Sequence, residues 1–320
     1  MKNTNFKELS IVIPVFNDFE SLSILISRLG KSVPLEFQKE ICLIIVDDSS
    51  QGNVSFEGSD FPTQFQIDVV QLRINLGHQR AIAVGLCYVF EEISSRFVSV
   101  MDSDGEDRPE DVWRLFEEAR KNDSSVFANR KKRSEGLLFR FFYLLYKFIF
   151  LLLIGKPVSF GNFSVFPASL LDSLVYNSNL WNNYAVTFLK SSYPMRLLDT
   201  HRGERYLGKS KMNFSKLFLH GFSGISIYSD LVTFRVVFFS LLIIIISLAG
   251  ILTVVSIRFF TEMAIPGWAT YSVLALTIIL FQSFIMGFFM LMTFLANRSN
   301  SLFIPIKEFR TFILGVLKKQ

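Results

Sequence analysis

The sequence predicts an α/β domain on a mostly parallel sheet, then an amphipathic helix lying in a membrane interface, then a two-helix transmembrane hairpin. Three observations carry this. Short apolar runs alternate with amphipathic segments over residues 9–130. Charged side chains gather where the apolar runs end. Two long uncharged stretches near the C-terminus each exceed the roughly 20 apolar residues needed to cross a bilayer.

Residues 9–16 (LSIVIPVF), 41–48 (ICLIIVDD), 66–73 (QIDVVQLR), 97–102 (FVSVMD) and 126–130 (VFANR) read as strands. Between the first two, Leu22, Leu25, Ile26 and Leu29 recur at helical spacing, with Asn17 or Asp18 as N-cap. Residues 78–93 and 109–121 read as two more helices, and Pro109 suits the first position of the latter. Strands apolar throughout and separated by helices predict a parallel sheet covered on both faces. The polar residues at the strands' carboxyl ends are Asn17 and Asp18, Asp47 and Asp48, Asp102 and Asp104, and Arg130. In an open α/β sheet that edge is where ligands bind.

Half of the 320 residues are apolar and 36 are Phe, which is too greasy for an ordinary soluble chain. The first membrane run lies between Arg235 and Arg258, and the second is richest from Tyr271 to Leu295. Segment 137–154 is also apolar, but Arg140 and Lys147 interrupt it, and only eight uncharged residues separate Lys147 from Lys156. It is expected to lie in the membrane interface, a core helix being the alternative. The expected segments are 1–136 (α/β domain), 137–156 (interfacial helix), 157–232 (remainder of the α/β domain), 233–297 (hairpin) and 298–320 (tail).

Lys and Arg crowd outside both ends of the hairpin, while the connecting loop carries only Arg258. The positive-inside rule places both termini in the cytoplasm. The N-terminus MKNTNFKEL is polar and leads into a strand, so no signal peptide is expected. The net charge of +5 comes mainly from the juxtamembrane clusters and fits anionic lipid. No basic stripe with interleaved aromatics appears, so nucleic acid is not an expected partner. Cys42 and Cys87 sit in apolar runs and are expected to pack in the core.

The stretch 99-SVMDSDGEDRPEDV-112 ends a strand in a knot of negative charge. Asp102 and Asp104 are hard oxygen donors two apart, suited to Mg2+ or Mn2+ carrying a diphosphate. A solvated turn is the alternative. Asp107, Glu110 and Asp111 suit the start of a helix. The pair Asp47 and Asp48 can accept hydrogen bonds from a base N–H and ribose hydroxyls. Gly77 permits a tight turn, and Arg80 is a candidate for facing the diphosphate, a surface role being the alternative. Arg130, Lys131, Lys132 and Arg133 read as a solvated run or as a lipid-phosphate site. Arg205 and Lys211 suit phosphate contact. His78, His201 and His220 have no metal-ligand spacing.

The ordered series IVIPVFND, IIVDDSS, RINLGHQRAIAVG, MDSDGEDRPED and RGERYLGKSKMNF, followed by the hairpin, resembles the inverting GT-A glycosyltransferases of family 2, in their dolichyl- and polyprenyl-phosphate branch. The resemblance covers residues from about Leu9 to the first membrane helix. It implies a nucleoside cradle of Pro14, Phe16, Asp18, Asp47 and Asp48, a DxD-type motif of Asp102, Ser103 and Asp104, a ligand-binding Arg130, and a diphosphate pair, Arg205 and Lys211. Relatives commonly carry Gln where this chain has Glu106, a candidate third metal ligand. They carry Asp, a candidate base, where this chain has Asn162. His201 is the substitute base to test. A sugar hydroxyl wants a base, whereas a phosphate monoester with second pKa of about 6 is already largely anionic at pH 7. Asn162 therefore leans toward a phosphate acceptor.

The expected function is inverting transfer of one sugar from a UDP-linked donor to a polyprenyl phosphate at the cytoplasmic face of a bacterial inner membrane. Mg2+ or Mn2+ is the expected cofactor, membrane lipid an expected partner, and homo-oligomerisation an open option. The alternatives are a lipid or glycan hydroxyl acceptor and an inactive sugar-nucleotide-binding scaffold.

Overall fold

Val, Ile and Leu fill the predicted strands, and β-branched side chains favour a pleated, buried backbone. The computed structural model describes residues 6–51, 64–130, 148, 150–155, 160–207, 223–261, 265, 267–299 and 302–319. The N-terminal elements run β1 (Lys7–Val15), α1 (Phe19–Ser32), α2 (Leu35–Gln38), β2 (Ile41–Asp47), β3 (Gln66–Leu72), α3 (His78–Glu92), β4 (Ser95–Val100), α4 (Pro109–Asn122) and β5 (Ser125–Arg130). All five expected strands and all three expected helices are present. Pro109 stands in the first turn of α4.

The chain continues with β6 (Ser164–Pro167), α5 (Leu171–Val175), α6 (Tyr184–Lys190) and β7 (Met195–Thr200). After two long apolar helices come α9 (Pro305–Glu308) and β8 (Ile313–Lys319). The sheet order is β7-β5-β6-β4-β1-β2-β3-β8. β1 pairs in parallel with both β2 and β4, and β2 with β3. β6 and β8 run antiparallel to their neighbours. The chain steps outward from β1 through β2 to β3, then returns to place β4 on the other side of β1. That reversal leaves a crevice beyond the carboxyl ends of β1 and β4.

Sequence reasoning found no strand at β6, β7 or β8. β6 is four residues, SVFP, too short to show a period. β8 lies in the stretch expected to be only a tail. It forms an edge strand, and its Lys318 stands opposite the buried Asp68 of β3. Lysines on an edge discourage further strand addition.

Both faces of the sheet are covered. One core packs α3, α5 and α6 against Val12, Ile44, Val98 and Phe127. The other packs α1 and α4 against Ile11, Ile13, Leu43 and Val126. Cys42 and Cys87 are buried free thiols, and burial pushes both above their ordinary range. Gly85 of α3 lies against β1 and β2. A Cβ there would overlap Val12 Cγ1 and come within 2.9 Å of Val46 Cγ2. Gly85→Ala is therefore expected to destabilise the fold by about 1–3 kcal/mol despite Ala's better helix propensity. Denaturant unfolding of purified protein measures this; a more stable variant would show that the helix can shift.

The residues divide into two compact units. One comprises Met1–Leu144, Val158–Ile227 and Phe303–Gln320, and the other Leu145–Pro157 and Tyr228–Leu302. The second unit holds α7 (Ser229–Phe260) and α8 (Trp268–Ser299), each long and apolar enough to cross a membrane. They pack on each other through small residues: a Cβ on Gly287 would stand 3.1 Å from Ser240 Cβ. Small residues let helix backbones approach in lipid, where packing drives association. Of the expected interfacial helix 137–154, only residues 148 and 150–154 are described, and they are helical; the rest lies outside the described residues.

Candidate active site

The carboxyl ends of β1, β2 and β4 converge, and the loops there are tied to one another. Asn17 and Ser49 both adopt left-handed backbone, with φ of 50° and 60°. Non-glycine residues hold that conformation only where surroundings enforce it. Here the Asn17 N–H donates to Ser50 Oγ at 2.9 Å, and Asn17 Oδ1 accepts from the Gln51 N–H at 2.8 Å. Phe16 stands 40% exposed beside them. Pro14 is buried within β1. Asp18 precedes α1 without a side-chain capping hydrogen bond.

Asp47 and Asp48 are both buried. Asp47 Oδ1 accepts from the Ser50 N–H at 3.0 Å. Asp48 catches the segment before α3: Oδ1 accepts from the Leu76 N–H at 2.7 Å and Oδ2 from the Gly77 N–H at 2.9 Å. Its carbonyl accepts from Asn75 Nδ2 at 3.2 Å. Gly77 has φ of +87°, the turn the sequence anticipated. Burial raises the Asp48 pKa, partly offset by these two N–H donors. Asp48 is thus a brace for the loop.

At the end of β4 the acidic turn is folded on itself. Asp107 Oδ2 accepts from the Asp102 N–H at 2.8 Å, and Asp104 Oδ1 from the Glu106 N–H at 3.0 Å. Asp107 therefore braces the turn, and it stands two residues before α4, whose first turn carries Glu110 and Asp111. Ser103 and Asp104 are buried. Burial raises the Asp104 pKa, and Asp102 raises it further, against the opposing pull of the Glu106 N–H and Arg205.

A second loop, 201–207, docks on this turn. The Gly203 N–H donates to the Glu106 carbonyl at 2.9 Å and the Tyr206 N–H to the Asp104 carbonyl at 3.0 Å. Arg205 Nη2 pairs with Asp104 Oδ2 at 2.5 Å and its Nε with Glu106 Oε1 at 3.2 Å. Arg202 pairs with Glu106 Oε2 at 2.6 Å. Glycine is needed at the contact, because a Cβ on Gly105 would meet the Tyr206 ring at 2.6 Å. The Arg28 guanidinium lies over that ring, 4.9 Å from its centroid.

A third cluster forms at the start of α3. His78 Nε2 lies 3.2 Å from Asp102 Oδ1 and 3.1 Å from Asn162 Nδ2. Gln79 Nε2 donates to Asn162 Oδ1 at 3.2 Å, and its Oε1 accepts from the Tyr184 N–H at 2.8 Å. Burial lowers the His78 pKa, but the carboxylates of Asp102, Asp107 and Asp104 outweigh it and leave it raised.

The sequence therefore pointed to most of the edge but not to all of it. It missed His78, Gln79, Arg202 and Tyr206. The one available signal was position: His78 follows Gly77 at a helix start, and Arg202 sits three residues before Arg205. No described side-chain contact joins the remaining candidates to these clusters. Arg80 lies over the Trp181 ring, 5.7 Å from its centroid. His201 is exposed, and no described hydrogen bond links it to the carboxylates. Arg130 ends β5, but its side chain, Lys131, Arg133 and Lys211 lie outside the described residues.

Among the described residues no three His, Cys, Asp or Glu side chains form a ready metal-ligand set. Glu106, the expected third ligand, is engaged by Arg202 and Arg205. Asp102 and Asp104 remain a suitable pair of oxygen donors. Divalent cations at phosphate sites take few protein ligands and complete their shell with phosphate and water. Burial, and then the neighbouring Asp102 carboxylate, raise the Asp104 pKa, and a bound cation would relieve both penalties.

Residues 10–171 match the family model described as Glycosyl transferase family 2. An uncharacterized glycosyltransferase of Synechocystis is 29% identical over 232 residues, covering 69% of this chain and 70% of its own. The undecaprenyl-phosphate 4-deoxy-4-formamido-L-arabinose transferase of Yersinia enterocolitica is 26% identical over 293 residues, covering 88% and 85%. The solved mannosyl-3-phosphoglycerate synthase from Rubrobacter xylanophilus superposes with TM-score 0.51 at 14% identity, covering 70% of this chain and 73% of its own, a likeness of fold. With a GT-A-like sheet and half its length matched, this chain belongs to glycosyl transferase family 2, and it is a glycosyltransferase.

Proposed function

We propose that this enzyme transfers a single sugar, with inversion, from a UDP-linked donor to a polyprenyl phosphate. The observation that carries the reading is the meeting of the acidic turn 102–106 with the arginines of loop 201–207 at the carboxyl edge of the sheet. Anionic and cationic groups side by side suit a metal-chelated diphosphate. The naming of the Yersinia relative for an undecaprenyl-phosphate transferase supports the acceptor class, and the two apolar helices suit a lipid substrate.

The nucleoside would lie at Phe16, Asp18, Asp47 and Asp48. Asp102 and Asp104 would hold Mg2+ or Mn2+. When bound, that ion supplies Lewis-acid relief of the charge building on the leaving diphosphate. Arg205 and, outside the described residues, Lys211 would hydrogen-bond phosphate oxygens. Guanidinium suits this because its donors are fixed in a planar fork. The acceptor phosphate attacks the anomeric carbon opposite the departing diphosphate, so configuration inverts. No proton need be removed from an already anionic phosphate, which suits Asn162. Arg130, Lys131 and Arg133 would attract the lipid phosphate. The Lys and Arg bias around the hairpin supports a cytoplasmic catalytic domain on a bacterial inner membrane.

The test is turnover by purified protein given a panel of nucleotide sugars and a polyprenyl phosphate. Nucleoside diphosphate release should require both substrates, stop with EDTA and return with excess Mg2+ or Mn2+. Transfer to a lipid hydroxyl but not to the phosphate would overturn the acceptor assignment. A hydroxyl acceptor is the second reading, and His78 favours it, since a ring nitrogen that can act as base stands beside Asn162 and Asp102.

A further inference from the structure

We propose that Glu106 is a positioning residue that, with Arg202, holds the Arg205 guanidinium in place for the donor diphosphate, rather than a ligand of the cation. The inference rests on the donor reading above and deepens it. Each acceptor group of Glu106 is engaged by the 202–205 segment. Oε1 accepts from Arg205 Nε at 3.2 Å. Oε2 accepts from Arg202 Nε at 3.1 Å and from its Nη2 at 2.6 Å. The backbone carbonyl accepts from the Gly203 N–H at 2.9 Å. The Glu106 side chain is 14% exposed, so these pairs are largely withdrawn from water. Charge-assisted pairs of this kind are stronger than neutral hydrogen bonds.

Glu106 and Asp104 together balance the two guanidiniums, so Arg205 gains an unmatched positive charge for a diphosphate only when Asp104 turns to a cation. Arg205 bridges Glu106 through Nε and Asp104 through Nη2. Holding Nε on Glu106 lets Nη2 pass from Asp104 to a phosphate oxygen without release of the loop. Asp104 is then available to the cation. A glutamine at 106 keeps one oxygen acceptor but loses the charge, and it cannot satisfy both arginines. The geometry therefore links two features of this sequence, Glu106 and the Arg202 that precedes Arg205 by three residues.

The experiment compares wild type, Glu106→Gln, Arg202→Met and the double variant, all full-length in detergent, with UDP as the probe. Four readouts are taken: hydrogen exchange of residues 201–207 without ligand, UDP affinity at saturating Mg2+, donor KM and kcat, and the Mg2+ midpoint of activity. Positioning predicts faster exchange, UDP affinity weakened roughly tenfold, and a KM raised more than kcat falls, the scale of one lost charge-assisted contact. The Mg2+ midpoint should stay put, and the double variant should lose no more than the worse single, as partners in one network do. A shifted Mg2+ midpoint with unchanged UDP affinity would make Glu106 a ligand and overturn the proposal. Faster exchange with unchanged UDP affinity and KM would make the contact merely structural, which also overturns it. If Glu106→Gln does not fold, Arg202→Met carries the same exchange and affinity tests. Wild type that binds no UDP removes the donor reading and this inference together, whereas wild-type binding equalled by both variants removes this inference alone.

Discussion

Asp104→Asn is expected to lower kcat/KM by about 100-fold or more, the scale seen when one electrostatic stabiliser of a developing charge is removed. Asp104 is the point where the two halves of the site meet. Its Oδ1 accepts the Glu106 N–H, its Oδ2 pairs with Arg205, and its carbonyl accepts the Tyr206 N–H. Asn is nearly isosteric, so the turn and the backbone hydrogen bond to Tyr206 should persist. What is lost is the negative charge that faces Arg205 and that would face a cation. Initial rates of diphosphate release, with circular dichroism to confirm folding, measure the effect. Turnover within threefold of wild type, on a folded variant, would remove Asp104 from the reaction.

Asp48→Ala should be the larger loss of stability, about 3 kcal/mol. Each of its carboxylate oxygens satisfies a backbone donor, Leu76 N–H at 2.7 Å and Gly77 N–H at 2.9 Å. Leaving such a donor unsatisfied costs about 1–3 kcal/mol. The effect should reach the site as well, because the freed loop leads directly into His78. Asp48→Asn retains one carbonyl oxygen and should lose roughly half as much. Denaturant midpoints of the three proteins order the series. An alanine variant as stable as wild type would mean that water satisfies these donors without help.

The two carboxylates of IIVDD show how far the sequence reached. Its apolar run placed Asp47 and Asp48 at the end of a buried strand, and the carboxyl-edge rule placed them in a site. Nothing in it said that Asp48 would turn back on the RINLG segment. That contact joins residues 28 and 29 apart, closed by a loop that no period encodes. Glu106 is the same case at longer range. It was visible as a departure from the family's Gln, and a third metal ligand was the natural guess, but its partners lie 96 and 99 residues away. His78 looked like an isolated histidine because Asp102 and Asn162 are remote in sequence.

Local order is what the sequence determined by itself. Short wholly apolar runs, the 3.6-residue period between them, strand-end charges and long uncharged runs set the α/β sheet, its charged carboxyl edge and the two apolar helices, because burial and backbone hydrogen bonding act over a few neighbouring residues. The tertiary structure alone decided how the acidic turn, the 201–207 loop and the start of α3 interlock, and that 313–319 closes the sheet as an edge strand. Those outcomes depend on ion pairs and hydrogen bonds between segments far apart in the chain. Such pairs form only after the sheet has brought the loops together, so their partners leave no periodic trace in the sequence.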